Sequence, residues 1–124
     1  MTMMIAIYCP GVEDVKPISA AGRPVYAAPE CAAYAKAVFC GVGSLTEEPM
    51  LREAPDAGLL WQLGLQQAEE SAREVKQRAN HISETLLKSQ VDCVVVAPPN
   101  MLRFLLRALE KRRCVIRRGQ SGAI

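Results

Sequence analysis

Asp92-Cys93-Val94-Val95-Val96-Ala97-Pro98-Pro99-Asn100 is the stretch that decides the fold. An unbroken apolar run with three consecutive valines suits a strand buried on both faces, because a strand with one wet face would alternate polar and apolar residues. The prolines end the run and prepare a helix, since a proline in the first helical turn gives up only an N–H that had no partner there. Leu102, Leu105, Leu106 and Leu109 then recur at helical spacing. A central strand delivered directly into a helix is half of a β-α-β unit.

The flanking sequence supplies the rest. Leu65, Ala68, Ala72, Val75, Ala79, Ile82 and Leu86 form one apolar stripe on a helix expected from about Leu63 to Lys88. Glu69, Glu70, Arg73, Glu74, Lys76 and Arg78 occupy its other, polar faces. Met3 to Tyr8 reads as a short buried strand ended by Pro10-Gly11, and Val12 to Gly22 as a loop. Pro24 to Ala27 is a second strand, and Pro29 opens a helix over Glu30 to Phe39 that Gly41 and Gly43 stop. Ser44 to Pro55 is irregular or a short edge strand, and Cys114 to Arg117 a last strand. The expectation is one domain over residues 1–124. It is a small three-layer α/β/α sandwich with a mainly parallel sheet, in which the strands ending at Tyr8, Ala27 and Ala97 lie side by side.

The bulk numbers bound the function. A chain of 124 residues, half of them hydrophobic, suffices for one core. Fifteen basic and thirteen acidic residues leave a nearly neutral total that implies no partner. No apolar run is long enough for a membrane span, and Met1 to Tyr8 is too short and uncharged for a signal peptide. Five cysteines, an odd number without paired close spacing, fit reduced thiols in a cytoplasm better than a metal site or disulfides, and no cofactor is implied.

Four landmarks occur in order: Ile5-Ala6-Ile7-Tyr8-Cys9-Pro10-Gly11, Val25-Tyr26-Ala27-Ala28-Pro29, Leu51-Arg52-Glu53, and Val94-Val95-Val96-Ala97-Pro98-Pro99-Asn100-Met101-Leu102-Arg103. The series resembles the skeleton of the histidine phosphatase (phosphoglycerate-mutase-like) superfamily. That resemblance implies a phosphoglycerate-mutase-like fold, with Glu53 at a pocket position often used as proton donor. The departures fall on the chemistry. Where the family carries Arg-His-Gly after its first strand, this chain has Cys9-Pro10-Gly11; where it carries an arginine beyond Ser-Pro, this chain has Ala32. Where it carries Ser-His-Gly, this chain has Ala97-Pro98-Pro99. Phosphoryl transfer through histidine needs an imidazole nucleophile and cationic donors around a dianion. Cys9, Pro10, Ala32, Glu53 and Pro98 therefore mark a vestigial cleft, and the expected function is a non-catalytic domain that binds a partner or ligand.

Other readings compete with this one. A small enzyme would use Cys9 as nucleophile or redox thiol with Glu53 as acid or base, Cys31 lying in the same cleft and a thiol near a helix start having a lowered pKa. A residual phosphatase is the other catalytic alternative. Among partners, the apolar stripe offers a homodimer seam, although packing on the sheet accounts for it. Arg103, Arg107, Lys111, Arg112, Arg113, Arg117 and Arg118 form a basic cluster. Without interleaved aromatic residues it reads as a solvated face more readily than as a nucleic-acid site. His81 reads as a polar helix residue and Trp61 as a core anchor.

Overall fold

The computed structural model describes residues 3–10, 17–54, 72–112 and 114–118, with the side chains of Ala72, Arg117 and Arg118 outside the description. Its strands are β1 (Met4–Tyr8), β2 (Ile18–Ser19), β3 (Pro24–Ala27), β4 (Phe39–Cys40), β5 (Ser44–Glu47), β6 (Cys93–Val96) and β7 (Val115–Arg118). Its helices are α1 (Ala32–Val38), α2 (Ala72–Lys88) and α3 (Pro99–Glu110), with short 3-10 turns at Pro29–Cys31 and Pro49–Leu51. The expected residues Leu65, Ala68 and Trp61 lie outside the described part of the chain.

The main sheet has the order β5-β3-β6-β1-β7, and every neighbouring pair is parallel. The valine run is thus the central strand. All four residues of β6 are buried, which requires cover on both faces. Right-handed crossovers place α1 on one face and α2 with α3 on the other, because the connections before β5 and β6 move across the sheet in opposite directions. The contact between α2 and α3 agrees with that placement. Ile5, Ile7, Val25, Val94 and Val95 join Ile82, Leu86, Leu102, Leu105 and Leu109 in one buried cluster. Asp92 fixes the start of the central pair by accepting the Met4 N–H at 2.8 Å.

The expected helix at Glu30 to Phe39 begins instead as a 3-10 turn, and Phe39 leaves it as part of β4. The pairing of β2 with β4 was not expected, since two-residue strands carry no periodicity to read. Phe39 meets Tyr8 edge-on, with ring centroids 5.0 Å apart, so this small ribbon packs back against β1. Between the two pairings the segment from Ile18 to Pro24 is one residue longer than that from Phe39 to Ser44. The extra residue is taken up at Ala21 and Gly22, both left-handed with φ of 53° and 75°.

One assignment on α2 is corrected. Val75, Ala79, Ile82 and Leu86 are buried as the stripe requires, but Arg78 is buried with them at 6% exposure rather than lying on a polar face. Among the described residues the large exposed apolar side chains are Val91 and Val115, so the described stripe is covered by the sheet and α3.

Candidate functional site at the carboxyl end of the sheet

The three expected strand ends form a row. Val96 is in register with Tyr8 on one side and Ala27 on the other. The ladder continues one residue further, with Ala97 N donating to Tyr8 O at 3.1 Å and Ala28 N to Val96 O at 2.9 Å. Chain segments leaving this row bring the candidate residues to one end of the sheet, where ligands of open α/β sheets gather. Cys9, Cys31, Ala32 and Pro98 are buried there, and Pro10 and Glu53 are half-buried.

Glu53 is the residue with a defined task. Pro98 precedes α3 and has no side chain to cap it, so the first N–H groups of the helix need an acceptor from elsewhere. Glu53 Oε1 accepts the Met101 N–H at 2.9 Å and also the Ala54 N–H at 2.9 Å. A carboxylate on the first turn of a helix is favoured by the partial positive charge there. The Glu53 backbone N–H in turn donates to Glu30 Oε2 at 3.1 Å. The segment therefore joins the turn after β3 to the start of α3.

Arg78 completes this junction, and the sequence reading missed it. Its Nη1 donates to Met50 O at 2.7 Å and Arg52 O at 2.8 Å, and lies 3.3 Å from Met101 Sδ. Its Nη2 reaches Glu53 O at 3.5 Å. A buried guanidinium is tolerated because its donors meet acceptors, and its planar fork spans several carbonyls at once. The signal was spacing: Arg78 lies three residues after Val75 and four before Ile82, on the apolar stripe itself. Arg78 thus places a cation beside the Glu53 segment, with Nη1 and Nη2 directed at the carbonyls of Met50, Arg52 and Glu53. Arg52, which is exposed, likewise directs Nη1 at Pro49 O at 3.2 Å.

The thiols differ from the activated state that the enzyme reading needs. Burial pushes the Cys9 pKa up, and the nearby Glu53 charge adds to it. Cys31 is pushed up to about 12, by burial first and then by Glu30, Cys9 and Glu53. Cys9, Cys31, Glu30 and Glu53 therefore share one neighbourhood, in which burial first and the carboxylate charge second hold the thiols protonated. Cys93, at the opposite end of β6, is also pushed up to about 12, chiefly by burial and then by Asp92. All five cysteines are free.

The remaining sequence candidates lie elsewhere. Arg103 and Arg107 are exposed on α3, Lys111 is exposed at its C-cap, and His81 is exposed on α2. Arg112 is drawn to α2, with Nη2 at 3.3 Å from Glu84 Oε1. Arg113 falls outside the described residues, as do the side chains of Arg117 and Arg118. No group of three or more metal-binding side chains occurs among the described residues, and no described helix is long and apolar enough to cross a membrane. Comparison of the chain with protein-family models, with curated proteins and with solved structures returns no match.

Proposed function

We propose that this chain is a non-catalytic, phosphoglycerate-mutase-like domain, a shortened relative of the histidine phosphatases that acts by binding a partner in a reducing compartment such as a cytoplasm. The observation that carries the reading is the Glu53 carboxylate seated on the Met101 and Ala54 N–H groups. A helix start at the carboxyl end of a central strand is a natural anion seat. Here the chain fills it with its own carboxylate, and Glu30 stands beside it. An incoming phosphate would have to displace a tethered acid without help from a free imidazole. Pro10 and Pro98 stand where the resemblance requires histidines, and Cys9 and Ala32 where it requires arginines. The raised thiols remove the driving force for the Cys9 nucleophile alternative.

Calorimetric titration with inorganic phosphate and with vanadate tests the seat directly. The proposal expects no saturable heat from either anion. One-to-one binding of vanadate, lost on Cys9→Ala, would overturn it in favour of a working site.

A further inference from the structure

The basic cluster does not behave as a unit. Arg112 is anchored, with Nη1 donating to Ala108 O at 2.6 Å and lying 3.4 Å from Asn80 Oδ1, besides its ion pair with Glu84. Arg103, Arg107 and Lys111 are different: all three are exposed, and among the described residues none has an ion-pair or hydrogen-bond partner. Their four-residue spacing, with the C-cap Lys111 still in the helical region, aligns them along one face of α3 and its end. With a rise of about 1.5 Å per residue, successive charges stand roughly 6 Å apart along a ridge about 12 Å long.

The surroundings of the ridge select among anionic partners. A protein partner would need apolar or aromatic anchors at the centre of the contact. Met101, Leu102, Leu105, Leu106 and Leu109 of α3 are turned into the core, and neither large exposed apolar residue of the described chain lies on this helix. A lipid surface would need the same apolar face for insertion, and that face is already buried. A phosphate backbone needs only cations at the right interval. One strand of a duplex presents a charge about every 3.4 Å along its axis, so the ridge spans roughly three phosphates. Single strands are held by exposed aromatic side chains on which bases stack, and Phe104, the aromatic residue of α3, is half-buried.

We propose that Arg103, Arg107 and Lys111 bind duplex nucleic acid through its phosphate backbone, weakly and without sequence preference. The ridge lies on α3 away from its capped start, so this binding is independent of what happens at Glu53.

Fluorescence anisotropy of a labelled DNA duplex of about 20 base pairs, titrated with the full chain over a salt series, tests the proposal. Three phosphate contacts contribute about −2.7 to the slope of log affinity against log salt, or roughly a 40-fold loss from about 50 to about 200 mM. Arg103→Gln, Arg107→Gln and Lys111→Gln together should remove that share, with circular dichroism and urea midpoint near those of the parent. Lys36→Gln, on the exposed side of α1, should change neither affinity nor slope. Absence of duplex binding at low salt would overturn the proposal, as would a slope that the triple substitution leaves unchanged. Tighter binding to single-stranded DNA, to poly-glutamate or to phosphatidylserine vesicles than to the duplex would also overturn it, and would reassign the ridge to that polyanion.

Discussion

Glu53 caps a helix that begins far along the chain: its Oε1 lies 2.9 Å from the backbone nitrogen of Met101, 48 residues later. Helix caps are usually local, supplied by the residue just before the first turn. Here the local residue is Pro98, and the acceptor is imported across the carboxyl end of the sheet. The result is a tether between the turn after β5 and the helix after the central strand. Its removal should loosen both together. Glu53→Ala is expected to cost about 1–2 kcal/mol, and Glu53→Gln less, because an amide oxygen still accepts but carries no charge for the helix start. Urea denaturation measures both, and equal losses from the two substitutions would contradict the charge contribution.

Arg78 holds the same segment from the other side. Arg78→Met fills much of the space and removes the guanidinium, leaving the carbonyls of Met50 and Arg52 without that donor. The expected loss is about 2–4 kcal/mol, larger than for either Glu53 substitution. Arg78→Lys should not restore the parent stability, since one ammonium cannot span the carbonyls that the planar fork reaches. A double-substitution cycle with Glu53→Ala should show coupling, because both side chains secure one segment.

These two residues also mark the limit of what local sequence chemistry reveals. The central strand, its neighbours β1 and β3, and the start of α3 were legible, because apolar runs and proline or glycine stops report local chemistry. Arg78 is legible in its spacing, which puts it on the stripe, but its charge argues for water and masks that position. The resemblance implies Glu53 as an acid in the cleft. Its cap was not legible, because capping depends on which strand ends become neighbours. The bare Pro98-Pro99 start was the one local hint that an acceptor had to come from elsewhere. The pairing of β2 with β4 left no hint, being two residues long and set by the turns around it.

Alkaline pH should weaken the fold through its buried thiols. Cys31 and Cys93 are both pushed up to about 12 from 9.0. Between those values the unfolded chain releases the thiol protons while the folded chain keeps them, so stability is full below pH 9 and falls as pH rises towards 12. The slope approaches about 1.4 kcal/mol per pH unit for each thiol. Cys31→Ala and Cys93→Ala should each flatten the alkaline limb of urea midpoint against pH. At neutral pH, exposed Cys40 should be alkylated well before the buried Cys31 and Cys93. Mass spectrometry of a timed iodoacetamide reaction reads that order.

The turn beside the β2–β4 ribbon carries one residue in an unfavourable conformation. Ala21 sits at φ 53°, where an L side chain with a Cβ is disfavoured. Ala21→Gly should raise stability by roughly 0.5–1 kcal/mol, the relief exceeding the added freedom of the unfolded chain. The opposite result is expected at Gly43, where a Cβ would come within 2.2 Å of the Gly22 carbonyl oxygen. Gly43→Ala must push the two backbones apart and should lower the melting temperature. A neutral Gly43→Ala would mean that this close approach is not needed.

The central claim is that the carboxyl end of the sheet is closed by structure rather than poised for phosphoryl transfer. Steady-state hydrolysis of para-nitrophenyl phosphate and of a phosphosugar tests it most directly, with the parent chain and Glu53→Gln assayed side by side. The account predicts release of phosphate at the buffer rate for both proteins, while Glu53→Gln shows only its loss of stability. Turnover by the parent chain that disappears in a folded Glu53→Gln variant would contradict it.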